Sequence, residues 1–122
     1  MIDLKNSTFK ILKISNKTPQ EINDLLIPNE TIISTYHGVK DYVIFTTKRI
    51  IAVGAERVLT KKKEYTSLPS SKVQAFSVET AGGIDIDSEL ELYFSSLGKV
   101  KFEFTRTSDI MEIGKIISQH IL

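Results

Sequence analysis

Four carboxylates stand at every second residue, at Asp85, Asp87, Glu89 and Glu91. Of the patterns in this chain, this spacing is the one that could best bind a metal ion. Side chains two residues apart share one face of a β-strand, so a continuous strand would present all four together. Calcium prefers such oxygen ligands, but the EF-hand loop needs glycine at its sixth position, where this chain has Leu90. A flat strand also cannot surround a cation. We therefore expect no metal, and acids that are solvated, paired across strands or placed at a subunit interface.

Basic residues offer the complementary chemistry, recognition of an anion. The densest run is Lys61, Lys62 and Lys63, which could contact a phosphate or an anionic membrane. Three cations fall short of the roughly four to eight of a typical polybasic membrane-binding segment. A solvated loop, or an edge strand protected by lysines, is the simpler interpretation. Lys40 lies in a separate turn and adds a further candidate for anion contact.

A short polar break at residues 46–49, Thr-Thr-Lys-Arg, separates two apolar runs in the stretch from Asp41 to Val53. The break favours a tight turn whose cations, Lys48 and Arg49, are solvated or paired with nearby carboxylates. If the next strand begins at once, these two side chains point in opposite directions and form no common anion clamp. Contact of Arg49 with an anion or a partner remains the alternative.

Catalytic constellations are not evident in the sequence. There is no cysteine, and the two histidines, His37 and His120, belong to no recognisable motif. The nucleophile-elbow, zinc-protease and phosphate-loop patterns are missing. We expect no enzymatic activity, no cofactor and no disulfide framework.

The composition indicates one ordinary globular domain. The chain has 122 residues, 41% hydrophobic and 25% charged, and a net charge of +1. So small a net charge provides no general attraction to nucleic acid. The longest uncharged apolar run, residues 50–55, is far shorter than the roughly 20 residues that span a bilayer. We expect a soluble, cytoplasmic protein without a transmembrane segment.

The net charge conceals a segregation along the chain. Residues 40–72 hold eight Lys and Arg against three Asp and Glu, a net +5. Residues 79–103 hold six Asp and Glu against two Lys, a net −4. Neighbouring strands can pair these charges within one molecule, or two unlike surfaces can meet between subunits.

Periodicity predicts mostly β structure between two helices. Thr18-Pro19-Gln20-Glu21 resembles a capped helix start, so we expect a short helix at 18–27, preceded by an irregular arm at 1–17. Period-two patterning and turn residues place the strands between residues 31 and 104. The expected strands are 32–36, 42–46, 50–55, 64–67, 73–80, 84–94 and 99–104.

The last hairpin can be registered from parity alone. Leu92 lies on the apolar face of one strand and Phe102 on that of the next, and both faces must point to the core. Directly opposed residues share a face, so the loop between the two strands must have an odd number of residues. A three-residue loop, 95–97, places Gly98 where a bulged turn needs a left-handed residue and sets Glu91 opposite Lys101. A five-residue loop would set two glutamates opposite each other.

A final helix is expected at 108–122, capped by Ser108 or Asp109. Ile113, Ile117 and Ile121 form one apolar stripe that should cover the open end of the strands, with Met111 on the flank. Gly114 lies on the apolar side, which suggests close backbone packing.

The segments DYVIFTTKRIIAV, KKKEYTSLPSSKVQAFSVETAGG and DIDSELELYF, and the ending DIMEIGKIISQHIL, resemble the bacterial pleckstrin-homology (PH) domain family over about residues 30–122. This resemblance implies a seven-stranded, partly open PH-like barrel capped by the last helix, with 18–122 as one domain. It also implies a non-catalytic protein that forms ring-like homo-oligomers. Eukaryotic relatives of the fold bind phosphoinositides through basic residues at the first hairpin, where this chain has only His37 and Lys40.

The leading expectation is therefore a non-catalytic module that assembles with itself, in a ring, and binds protein. The alternative is peripheral binding of anionic lipid or phosphate through the basic loops. The candidate binding residues are Lys40, Arg49, Lys61, Lys62, Lys63, Asp85, Asp87 and Glu89. The sequence leaves open the partner, the number of subunits, the pathway and the role of the arm at 1–17.

Overall fold

A computed structural model describes residues 9–57, 62–82, 87–105 and 108–121. Within these ranges eight strands form one sheet in the order β5-β4-β3-β2-β1-β8-β7-β6. The strands are β1 Phe9–Ser15, β2 Ile32–His37, β3 Tyr42–Thr46, β4 Arg49–Arg57, β5 Lys62–Pro69, β6 Ala75–Glu79, β7 Ser88–Phe94 and β8 Gly98–Phe104. One α-helix, α1, follows at Ile110–Ile121, and two 3-10 helices lie at Gln20–Asp24 and Ser70–Lys72.

The sheet forms a PH-like barrel with one strand more than expected, and β5 and β6 end it. Seven strands occupy the predicted region 31–104, and β1 lies between β2 and β8. The prediction of an irregular arm at 1–17 is thus wrong for residues 9–15, which pair antiparallel with β2 and parallel with β8. Phe9 and Leu12 supply buried side chains there. Residues 1–8 lie outside the described ranges.

The barrel interior is the main core. It joins inward-facing residues of seven of the eight strands, including Phe45, Leu92, Phe102 and Phe104, to Ile110, Ile113 and Ile117 of α1. Ile121 is half-buried, and Met111 is 63% exposed on the flank of the helix, as the periodicity predicts. A methyl group on Gly114 would lie 3.1 Å from Val78 Cγ1, so this glycine does mark close packing of α1 on β6.

Both predicted turn features of the C-terminal half are confirmed. Gly98 has a φ of 87°, and Glu91 pairs with Lys101 in the β7–β8 register. The Asp109 carboxylate accepts a hydrogen bond of 3.1 Å from the backbone N–H of Glu112, which caps α1. Of the strand predicted at 84–94, β7 covers Ser88–Phe94; Asp87 lies outside the strand, and residues 84–86 lie outside the described ranges.

A second, smaller core lies on the outer face of β3 and β4. Ile44, Ile51 and Val53 are buried there beneath Ile22, which belongs to residues 18–30, hereafter the cover segment. This burial on both faces explains why β3 and β4 read as continuous apolar runs rather than alternating patterns. The capped helix predicted at 18–27 is observed as a 3-10 helix at Gln20–Asp24 with no side-chain cap, and Thr18 Oγ1 contacts Thr35 Oγ1 instead.

Candidate functional site

The turn between β3 and β4 is built around one threonine hydroxyl. Thr46 Oγ1 accepts hydrogen bonds from the backbone N–H groups of Lys48, at 3.2 Å, and Arg49, at 3.0 Å. The same hydroxyl lies 2.6 Å from Glu30 Oε2, to which it donates. The polar break is therefore a turn, as the sequence predicts, and it is held by a buried side chain.

Arg49 uses its guanidinium to hold the cover segment against the barrel. Its Nε and one terminal nitrogen donate to the two carboxylate oxygens of Glu30, at 2.8 and 2.9 Å. Further hydrogen bonds reach the Leu25 carbonyl oxygen at 2.6 Å and Ser67 Oγ at 3.0 Å. The Glu30 side chain is fully buried, and that of Arg49 is 18% exposed. The anion that Arg49 contacts in this structure is thus a carboxylate of its own chain.

Glu30 is ionised in this environment. Burial alone would raise its pKa, but hydrogen bonds from Arg49, Thr46 and the Ile27 backbone outweigh that effect and lower the pKa from 4.5 to about 2. A bidentate arginine contact favours the charged carboxylate strongly. The contact of Glu30 with Arg49 therefore has a structural role. The sequence predicted that Arg49 is solvated or pairs with a carboxylate, but it did not identify Glu30, which precedes Arg49 by 19 residues.

The basic run is only partly described. Lys61 lies outside the described ranges, and Lys62 starts β5. Lys63 Nζ lies 3.2 Å from Glu21 Oε1, and the same oxygen accepts a hydrogen bond from the Tyr65 hydroxyl. The hydrogen bond to Glu21 raises the pKa of Lys63. Lys63 thus helps to hold the far end of the cover segment, while 55% of its side chain stays exposed.

Lys40, Lys63 and Arg49, candidate cations that the structure describes, do not form one patch. The β-ladders place Tyr42, Val53 and Tyr65 in one row across β3, β4 and β5. Lys40 and Lys63 lie beyond this row at one end of the sheet, and Arg49 lies at the other. Lys63 is the register partner of Ala55, which follows Arg49 by six residues along β4. At about 3.3 Å per residue, the two ends are therefore roughly 20 Å apart.

Glu89 and Glu91 lie on the outer face of β7, in the opposite half of the sheet. Asp85 lies outside the described ranges, and Asp87 is half-buried just before β7. Glu89 and Glu91 both lie 3.6 Å from Lys101 Nζ, and Lys99 Nζ is 3.8 Å from Glu91. Burial alone would raise the pKa of Glu91, but the hydrogen bond from the Tyr93 hydroxyl and the charges of the two lysines outweigh burial and lower it.

One arrangement on this face was not anticipated from the sequence. Glu79, Glu89 and Glu103 are register partners on β6, β7 and β8, so three carboxylates form a row across the strands. Directly opposed like charges disfavour a sheet, and Lys101, whose Nζ lies 3.6 Å from Glu89, offsets part of this repulsion within the chain. The parity of the last hairpin implied the Glu89–Glu103 half of this row, because it set Glu91 opposite Lys101. The Glu79 half depends on the β6–β7 register.

Three shallow depressions lie on the surface of the part of the chain that the structure describes. One of about 340 Å³ follows the β5 edge along Glu64, Tyr65, Thr66 and Ser67. A second, also about 340 Å³, lies between the end of β5 and the β7–β8 turn, and a third of about 440 Å³ lies at Gln20–Asp24. Within the described ranges no three His, Asp or Glu side chains gather to hold a metal ion. Nor does any described helix have the length and apolarity to cross a membrane.

Comparison with known proteins agrees with this architecture. Two Bacillus subtilis (strain 168) proteins named as uncharacterized are similar in sequence. YjqA is 35% identical over 101 residues, 81% of each chain. YozO is 30% identical over 112 residues, 91% of this chain and 96% of the relative.

Solved structures give the same fold. The crystal structure of a DUF1696 family protein with a pleckstrin-homology domain from Shewanella loihica PV-4 matches with a TM-score of 0.82 and 31% identity, over 93% of this chain and 99% of that one. A pleckstrin homology domain from Shewanella amazonensis SB2B matches with a TM-score of 0.66 and 36% identity, over 84% and 83%. The family model described as bacterial PH domain matches residues 4–121. The chain belongs to the bacterial PH domain family.

Proposed function

We propose that this chain is a non-catalytic, cytoplasmic PH-like module that assembles with itself into a ring-like homo-oligomer and mediates protein–protein interaction. Membership of a family that is generally non-catalytic supports the first part. The three depressions described above are open, which suits contact with a macromolecule better than enclosure of a small substrate.

The observation that carries the assembly proposal is the unlike charge at the two ends of the sheet order. β5 ends the sheet on one side and begins with Lys62 and Lys63. β6 ends it on the other side and contributes Glu79 to the carboxylate row with Glu89 and Glu103. A ring needs a heterologous contact, in which one surface of a subunit meets a different surface of the next.

Charge sets the orientation of this contact rather than its strength. Exposed ion pairs contribute about 0–1 kcal/mol each, so apolar contacts must supply most of the affinity. In the proposed arrangement the acids around Asp85, Asp87 and Glu89 of one subunit lie near Lys61, Lys62 or Lys63 of the next. A basic neighbour would add to the compensation that Lys101 already gives to the carboxylate row.

The test is a charge-reversal series followed by light scattering. Reversal of two acids, in the Asp87→Lys/Glu89→Lys variant, should lower the oligomeric fraction. Adding Lys62→Glu and Lys63→Glu to that variant should restore part of it, because the charges again match. Circular dichroism establishes that each variant is folded.

A matched control reverses two acids on other surfaces, in the Asp24→Lys/Glu112→Lys variant, with the same change in net charge. This variant should assemble like the unmodified protein. If both double variants lose assembly equally, net charge rather than a specific surface is responsible. If no charge reversal changes the oligomeric fraction, the protein assembles but the charges do not determine the contact.

A second candidate function, peripheral binding to anionic lipid, is favoured by the tip of the β2–β3 hairpin. Val39 is 84% exposed there beside Lys40, and Ile14 on the neighbouring β1 is 70% exposed. Exposed apolar side chains next to a lysine suit the boundary of a membrane. Flotation with anionic vesicles at low and high salt tests this function, with Val39→Ser as the variant expected to float less. A protein that stays with the soluble fraction at low salt does not bind such lipid.

A further inference from the structure

We infer that β1 is an exchangeable strand: in the oligomer it leaves its own barrel and fills the gap between β2 and β8 of a neighbouring copy. This inference rests on the proposed self-assembly and gives it a structural route. It accounts for a feature of the fold that the charge pattern does not address, the insertion of an N-terminal strand into the barrel wall.

The pairing of β1 is weak for a strand in the middle of a sheet. Its ladder with β2 covers Lys13 to Ser15, at one end of the strand. Its ladder with β8 is parallel, and the register shifts between Phe9 and Leu12. Parallel pairing is slightly less stable than antiparallel pairing, and a register shift interrupts the hydrogen-bond pattern.

The position nevertheless requires apolar side chains from β1. Phe9 is 3% exposed and Leu12 is fully buried, and the Phe9 and Phe102 ring centroids are 5.4 Å apart. The backbone N–H of Thr105 also donates to the Leu12 carbonyl oxygen at 3.0 Å. The gap between β2 and β8 therefore fits this strand specifically, and the same strand of a second copy is the occupant that reproduces every contact.

The connection allows the strand to move as a unit. Sixteen residues, 16–31, join β1 to β2, whereas the β2–β3, β3–β4 and β7–β8 connections are short turns. β1 can thus leave without opening any of those hairpins. The hinge consists of Asn16 and Lys17, which are exposed and precede the cover segment, where Thr18 Oγ1 already contacts Thr35 Oγ1 of β2. Beyond the hinge the cover segment is fixed by Ile22 and Glu30, so it would stay on its own barrel as the strand departs.

The free-energy balance favours exchange at high protein concentration. The closed monomer and the strand-exchanged oligomer make the same contacts with β1. The free-energy difference between them therefore comes from the hinge conformation and the entropy of association. Exchange of an identical element is a low-cost route to oligomers for this reason. Transfer from each copy to the next, rather than back to the donor, would close a ring with a heterologous contact.

The test uses the absence of cysteine from the natural sequence. Lys13 and His37 are register partners on β1 and β2, so their Cα atoms lie within disulfide range, about 4.4–6.8 Å. Two single variants, Lys13→Cys and His37→Cys, are prepared with tags of different mass, mixed, refolded together and oxidised. No disulfide between the two variants can form within one chain, so a cross-link requires that β1 of one copy lies beside β2 of another.

The control pair is Glu91→Cys mixed with Lys101→Cys, register partners within a hairpin that exchange of β1 leaves intact. We expect a cross-linked Lys13→Cys/His37→Cys heterodimer at least tenfold more abundant than the heterodimer of the control pair. The double variant Lys13→Cys/His37→Cys should in turn give a ladder of disulfide-linked oligomers on a non-reducing gel.

A double variant that stays a monomer on that gel, with cross-linking of the mixed pair no higher than the control, overturns strand exchange. Light scattering on the same samples separates this failure from failure of the proposed assembly. An oligomer without the cross-link refutes exchange alone, whereas a monomer at all concentrations refutes both.

Discussion

Replacing Glu30 by glutamine tests the polar network that holds the cover segment. Glu30→Gln should lower the free energy of unfolding by about 3 kcal/mol at neutral pH. The magnitude follows from the pKa of Glu30, lowered from 4.5 to about 2, because each pKa unit corresponds to about 1.4 kcal/mol. Loss of one partner of a buried ion pair has effects of similar size.

The pH dependence of this effect has a definite sign. The pKa of Glu30 is lower in the folded protein than in the unfolded chain, so its stabilisation is fully present above the unfolded value of 4.5. It is lost as the pH falls from about 4.5 through about 2. The difference between the unmodified protein and Glu30→Gln should therefore be constant from pH 6 to pH 8 and shrink below about pH 5.

Urea unfolding at several pH values measures both the magnitude and its pH dependence. The matched control is Glu21→Gln, which removes the exposed contact with Lys63 at the other end of the cover segment. This variant should unfold close to the unmodified protein, since exposed ion pairs contribute little. Equal stability of Glu30→Gln and Glu21→Gln, or a difference that persists unchanged at pH 3, would refute the role given to the buried pair.

Three further predictions concern the barrel and α1, each read from thermal or urea unfolding. Ile117→Ala should destabilise by about 2–5 kcal/mol, whereas Met111→Ala should have little effect, and equal effects would show that α1 does not cap the core. Gly98→Ala should destabilise by about 1 kcal/mol or more, because its φ of 87° disfavours a side chain; an unchanged midpoint would contradict the bulged turn. Asp109→Ala should remove the cap of α1 and destabilise by about 0.5–2 kcal/mol, with Asp109→Asn retaining most of the stability.

The features predicted well were those fixed by local pattern. Turn residues bounded strands β2 to β8; β3 and β4 appeared as continuous apolar runs, and most of the others as alternating patterns with one face toward the barrel interior. Parity fixed the β7–β8 register, and the position of Gly98 followed from it. The spacing of Ile113 and Ile117 placed α1 on the core for the same reason: a side-chain period is visible in the sequence itself.

The features missed depend on pairing between distant residues. β1 is held by β2 and β8, and its short pattern around Phe9 and Leu12 fits neither period. The Arg49–Glu30 contact joins residues 19 positions apart through a segment with no regular period. The sequence did indicate that something covers this outer face. Ile44 and Ile51 are apolar, although strand alternation places them on the face that points away from the barrel interior.

The candidate binding residues were predicted by charge alone, and charge does not determine position. The structure separates Arg49 from Lys40 and Lys63 along the sheet, and it places Glu79 and Glu103 beside Glu89. Strand register, which the sequence gives only for the last hairpin, decides both outcomes.

The most direct test of self-assembly is the molar mass of the unmodified protein in solution, measured by light scattering over a wide dilution series. The chain has a mass of 13.7 kDa. The proposal predicts a single species at a fixed multiple of this mass, persisting on dilution until it dissociates. A mass of one chain at every concentration would contradict it.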